Sequence, residues 1–315
     1  MSEFSSTDAA LDGLRVSREH PLAVLWWWGA YAAAALVELG VSTLPPFRRM
    51  AALMPQMQAE AQAVQANPSD PAATAHYLSL LGQAAPAILA FAAVALVMHV
   101  VLMTGVLRAV LRPTDRAVGY LRLSMDEARQ VGLALIAVVV FLGYAFVVSL
   151  ISTFVTAVVG GIVGGGALAF AFGGLVFVGV ALAFLYPAVR LSLAPAMTFA
   201  DGRISLFRSW ALTRGRFWPL FGAYLVAGTF AVMIMGFVLV AGMIVSSRVG
   251  GPPLDDAAGL LSPLKIGLFL FNALFAALLG AVTTAPGASA FRQLTGRMGA
   301  PAVSSTSSGS PWGQA

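Results

Sequence analysis

Six apolar runs of membrane length alternate along the chain with short polar or basic stretches. They cover Leu22–Leu44, Pro86–Leu107, Val131–Val159, Leu168–Val189, Phe217–Val245 and Ile266–Ala288. Crossing about 30 Å of hydrocarbon takes about 20 helical residues, so each run predicts one transmembrane helix. The expected fold is an all-α integral membrane protein with six transmembrane helices. The first run opens on Trp26, Trp27, Trp28 and Tyr31, an aromatic belt suited to a membrane interface.

The stretches between the runs refine this picture. Residues 1–20 are polar, lack the apolar core of a signal peptide, and are expected to be a disordered cytoplasmic N-terminus. Residues 21–298 form the six-span domain, and the Ser/Gly/Pro-rich tail 299–315 is expected to be disordered. Residues 45–83 are too polar to span, and Phe47–Ala66 reads as a helix lying on the surface. Asn67-Pro68-Ser69-Asp70-Pro71 breaks the chain. Ser124-Met125-Asp126-Glu127 has the form of a capping box, so the third helix begins there, with two acids in its first turn. Residues 160–166, five of them glycine, predict an uncharged turn, and residues 246–264 a loop.

Composition agrees. Charged residues are 10% of the 315, against about 25% in soluble proteins. Fourteen of the eighteen Lys and Arg lie in the tails and in the second and fourth connecting stretches; the exceptions are Arg48, Arg49, Arg248 and Lys265. By the positive-inside rule both termini are cytoplasmic, and the expected location is a bacterial inner membrane. The same asymmetry accounts for the basic balance without nucleic acid. No cysteine is present, which removes disulfides, thiolate nucleophiles and cysteine-bound metals. No cofactor or metal is expected.

The stretch from Tyr186 to Trp218 organises the rest. It carries five arginines, Asp201 and two tryptophans between two apolar runs, and so belongs in water or among headgroups. Within it, Arg190, Pro195, Asp201-Gly202 and Ser209-Trp210-x-Leu212-Thr213-Arg214-Gly215-x-Phe217-Trp218 form a pattern. It resembles the membrane domain that precedes the catalytic domain in some bacterial glycerophosphoryl diester phosphodiesterases. The resemblance covers about 35 residues and implies a membrane module; nothing here resembles that family's catalytic metal-binding set, so hydrolase activity is not carried over. Leu206, Phe207, Trp210 and Ala211 predict the apolar side of an interfacial helix, with Arg208, Ser209 and Thr213 facing away and Asp201 as its cap. Arg190, Arg208, Arg214 and Arg216, with Trp210 and Trp218, are the candidate anionic-headgroup site; the other reading is topological anchoring.

A second candidate lies in the membrane, where ionisable groups are costly and functional by default. Glu38 falls about 9 Å from the outer end of the first run. Asn272 lies at similar depth in the sixth, and Ser149, Ser152, Thr153 and Thr156 share one helix face. Together they predict an outward-facing polar layer: either interhelical hydrogen bonding or a site for a headgroup or coupling proton. His99 is expected to be a packing residue. No G-x-S-x-G, H-E-x-x-H or P-loop occurs. The chain therefore reads as a non-enzymatic, lipid-associated accessory or scaffold module, with a small carrier or lipid-handling transporter as the alternative. Its expected partners are the phospholipid bilayer and its anionic headgroups, with a membrane-protein neighbour or a second copy as further candidates.

Overall fold

The computed structural model describes residues 5–42, 44–67, 70–115, 118–163, 167–249 and 263–296. Every regular element among them is helical: α1 Ser6–Glu19, α2 Pro21–Ser42, α3 Pro45–Ala66, α4 Pro71–Leu111 and a 3-10 turn Val118–Tyr120, then α5 Met125–Val163, α6 Ala167–Leu191, α7 Ala194–Asp201, α8 Leu206–Leu212, α9 Phe217–Val249 and α10 Pro263–Thr295. Five of these (α4, α5, α6 running on into α7, α9 and α10) are long and apolar enough to cross a membrane. In α2 the stretch Pro21–Val37 is apolar but shorter.

The apolar helices bury little of themselves against one another. In α9 none of the most apolar window is buried, and in α5 only 6% is. Leu, Phe and Val side chains line their outer faces, as at Val139, Phe154, Phe177 and Val232. Exposing apolar surface to water costs about 25 cal/mol per Å², so faces of this kind belong in hydrocarbon.

The packed core sits at the other end of the molecule, where the arginines are. Ala277, Ala281, Ala285 and Ala288 form a stripe of small residues on α10. Such a stripe lets neighbouring helices approach closely. Trp27 of α2, Val106 and Val110 of α4, and Met197 and Phe199 of α7 belong to the same cluster. Trp27 is 1% exposed and its indole Nε1 donates to the Gly119 carbonyl at 2.8 Å.

The N-terminal segment corrects its sequence reading. Residues 6–19 are an ordered helix, capped by Ser5, whose Oγ accepts from the Asp8 amide. Ala9, Ala10, Gly13 and Val16 make its buried face. These are small residues, which sum to little apolar signal while still allowing close docking on α10. Asp12 is 3% exposed and meets Arg292 at 3.4 Å and Arg15 at 3.6 Å. Gly13 lies against the α10 backbone: a Cβ there would stand 2.7 Å from the Ala281 carbonyl oxygen and 2.8 Å from Val282 Cα. Backbone atoms cannot rotate away, so Gly13→Ala should cost about 1–3 kcal/mol. A lower unfolding midpoint and faster proteolysis within residues 1–20 are the expected readouts; an unchanged midpoint would mean that α1 is not docked.

Three further boundaries differ from expectation. The second apolar run belongs to a helix that begins at Pro71, not Pro86. Asp70 caps it by accepting from the Ala72 and Ala73 amides, and Pro71 at its first position has no amide to satisfy. At 41 residues α4 is about 60 Å long, twice the hydrocarbon thickness, so it continues beyond a bilayer. Helix α3 does not lie free on the surface but packs along α4: Phe47 meets Phe91 edge-on at 5.3 Å and His76 Nδ1 meets Glu60 Oε1 at 2.8 Å, an antiparallel hairpin. Helix α5 continues through Gly160 and Gly161 to Val163; residues 164–166, where a turn was expected, lie outside the described residues. So do most of the expected 246–264 loop, from residue 250 to 262, and the tail.

Candidate functional site

Arg190 stands in the last turn of α6, and its surroundings explain the local fold. The last carbonyls of a helix have no intrahelical partner. The Arg190 carbonyl finds two donors on the next polar segment: Ser209 Oγ at 2.8 Å and Thr213 Oγ1 at 3.2 Å. The expected division of α8 holds for Ser209 and Thr213, which face away from Phe207, Trp210 and Ala211, and fails for Leu206 and Arg208, which change sides. Leu206, Ser209 and Thr213 point inward, while Phe207, at 66% exposed, and Trp210, at 38%, point out. Ser209 and Thr213 are polar by composition, yet are drawn inward by an orphan carbonyl. Asp201 is not the cap of α8 either: Ser205 holds that position, and Asp201 closes α7 and pairs with Arg208 at 2.6 Å.

The Arg190 side chain is 6% exposed. Its guanidinium lies 4.9 Å from the Trp210 ring centroid and 5.8 Å from that of Tyr186. Tyr186 in turn contacts Trp210 at 5.6 Å and Phe217 at 5.3 Å, and Phe217 contacts Trp218 at 5.3 Å. Aromatic rings thus join the end of α6, α8 and the start of α9. Among the described residues no carboxylate lies within ion-pair distance of Arg190, and its buried Nε has no hydrogen-bond partner. Thr213, held by the Arg190 carbonyl, opens the turn that carries Arg214, exposed, and Arg216, half-buried. Trp218 is 75% exposed beside them. Of the six expected residues, Arg190 and Trp210 are in contact, and Trp218 is joined to them through Phe217 and Tyr186. Arg208 is occupied by Asp201.

Arg108 and Arg112, at the start of the basic second connecting stretch, contrast with Arg190. Both stand in the last turns of α4 or at its cap, where Arg108 is 1% exposed. Its guanidinium donates to Glu127 Oε1 at 2.6 Å, to the Tyr120 carbonyl at 2.9 Å and to Ser124 Oγ at 3.1 Å. Asp115 and Asp126 each approach it at 3.8 Å. Arg112 donates to Asp126 at 3.0 Å and to the Phe199 carbonyl at 3.2 Å, and stacks on the Phe199 ring at 4.2 Å. The capping box forms as expected, with the Ser124 amide donating to Glu127 Oε2 at 2.8 Å. The same glutamate also neutralises Arg108. Arginines at i and i+4 facing two acids at the start of the next helix were the available signal. The Tyr120 hydroxyl, within this knot, is held above its usual pKa by burial and by the Asp115 charge.

The outer polar residues are not gathered. Ser149, Thr153, Thr156 and Asn272 are exposed and Ser152 half-buried, with the Ser152 hydroxyl donating to its own helix at the Ser149 carbonyl, 3.0 Å away. Helix α5 packs on α4, α6 and α7, whereas α10 packs on α1, α2, α4, α7 and α9. The Glu38 position lies in α2, but its side chain falls outside the described residues. No group of three His, Asp or Glu side chains converges as a metal-ligand set among the described residues.

No family model, curated protein or solved structure matches the chain.

Proposed function

We propose that the chain is a non-enzymatic, lipid-associated membrane module that holds the phosphate of an anionic phospholipid at Arg190. In this reading α2 completes six crossings, both termini are cytoplasmic, and the arginine-rich hinge lies at the inner leaflet of a bacterial inner membrane. Its likeness to the glycerophosphoryl diester phosphodiesterase membrane domain, carried by Arg190 to Trp218, supports a lipid-facing role without hydrolysis.

One observation carries the proposal. Arg190 is nearly as buried as Arg108, yet among the described residues it lacks the acids that surround Arg108. A buried cation with no anion is strongly unfavourable, and guanidinium offers paired donors suited to phosphate. Trp210, Trp218 and Phe207 present rings to the headgroup region, where tryptophan is favoured. Arg214 and Arg216 add attraction of about 1 kcal/mol each to an anionic surface.

The test is the lipid that accompanies the purified protein. Wild type should retain phosphatidylglycerol or cardiolipin by native mass spectrometry, and Arg190→Gln should lose it. Arg208→Gln removes only a half-exposed pair and should retain it. Equal retention in wild type and Arg190→Gln would exclude the headgroup site.

A further inference from the structure

A cavity lies among α4, the α6–α7 junction, α9 and α10, with a volume of about 310 Å³. That is the small end of the range occupied by ligand pockets, roughly 300–1,000 Å³. Met103, Leu107, Pro195 and Ala288 give it apolar walls, and His99, Ser192, Tyr224 and Thr284 contribute polar atoms. His99 is exposed. Gly287 shapes the interior: a Cβ there would meet the Tyr224 hydroxyl at 2.8 Å and the Ser192 carbonyl at 3.2 Å.

The hydrogen-bonding capacity of the wall is largely used. Ser192 Oγ donates to the Val189 carbonyl at 2.8 Å, and Thr283 Oγ1 to the Leu279 carbonyl at 2.8 Å. The His99 imidazole and the Thr284 hydroxyl have no hydrogen-bond partner among the described residues, and Tyr224 adds a third polar side chain to the wall. Both can donate to an acceptor. Among the described residues no carboxylate, guanidinium or ammonium lines the cavity, so a charged ligand would sit here unpaired, at high cost.

We propose that this cavity binds the uncharged, carbonyl-bearing end of a membrane-soluble molecule, with His99 and Thr284 donating to the carbonyl oxygen. The ester of a neutral glycerolipid and the ring of a quinone share this chemistry. The site is separate from the Arg190 hinge in both residues and charge.

The experiment titrates the full-length protein in phosphatidylcholine nanodiscs with dioctanoylglycerol, with a decyl-substituted benzoquinone and with dodecane, following the midpoint of thermal unfolding. One of the two carbonyl probes should raise the midpoint saturably while dodecane leaves it unchanged, and the probe that does so identifies the source. Thr284→Val, which keeps the side-chain shape, and His99→Leu should each weaken that response about tenfold, and Arg190→Gln should leave it intact. Three results would overturn the proposal: no response to either carbonyl probe, an equal response to dodecane, or wild-type titration by both variants. The comparison of probes on the wild-type protein needs no variant to fold.

Discussion

Arg108→Ala should cost the fold about 3–5 kcal/mol, the largest stability loss expected from any single substitution in this chain. The size follows from burial on both sides. The Arg108 side chain is 1% exposed and that of Glu127 6%, so water cannot take over when the guanidinium is removed. Glu127 would keep its bonds to the Ser124 amide and hydroxyl but lose its only cation within 2.6 Å among the described residues. Asp126 is better placed, because Arg112 and Arg129 hold it at 3.0 and 3.1 Å. The stranded charge is therefore Glu127. Replacing both partners, Arg108→Met with Glu127→Met, should recover much of the loss, because a buried pair often does no better than apolar residues of similar volume. Denaturant unfolding in detergent gives both numbers. A loss below about 1 kcal/mol for Arg108→Ala would mean the knot is hydrated, as exposed pairs are.

Arg190→Gln should behave in the opposite way, and its sign should depend on the surrounding lipid. In a neutral detergent the substitution removes a buried cation with no described acid partner, so stability should hold or rise. In phosphatidylglycerol nanodiscs wild type gains a phosphate partner that the neutral amide of the variant cannot pair with, and the order should invert. A tenfold preference for anionic lipid corresponds to about 1.4 kcal/mol, which the two unfolding midpoints can resolve. Arg208→Gln serves as the control: its pair with Asp201 leaves the arginine side chain 52% exposed, and pairs of that kind contribute at most about 1 kcal/mol. If Arg190→Gln weakens the protein equally in both surroundings, Arg190 is a packing residue and not a phosphate ligand.

These contrasts show which parts of the molecule were legible in the sequence. Long apolar runs and the Ser124–Glu127 capping box are local signals: five of the six runs lie in helices long and apolar enough to cross a membrane, and the capping box forms. The docked α1 was not legible. Its buried face is built of Ala9, Ala10 and Gly13, and besides the local Arg15 its buried Asp12 pairs with Arg292, 280 residues away. No local pattern can report a partner at that distance. In helix α8 spacing separates Ser209 and Thr213 from Phe207 and Trp210 as expected, but it does not show what the polar side meets: both turn inward to satisfy the carbonyl of a different helix. The Ser/Thr face of α5 shows the same limit from the other side. Its spacing is regular, yet spacing says nothing about what stands opposite, and α10 with Asn272 packs elsewhere. Arg190 was singled out by composition and motif, while the property that distinguishes it, burial without an acid, required its neighbours.

The headgroup chemistry proposed for Arg190 depends on the hinge between α6 and α9 facing the cytoplasmic leaflet. The absence of native cysteine makes a single-cysteine test clean, and exposed Arg214 is the site to use. With Arg214→Cys in the full chain, a membrane-impermeant maleimide should label inverted membrane vesicles and leave intact spheroplasts unlabelled. Labelling of intact spheroplasts would place the hinge outside the cell and contradict both the six-crossing topology and the inner-leaflet phosphate site.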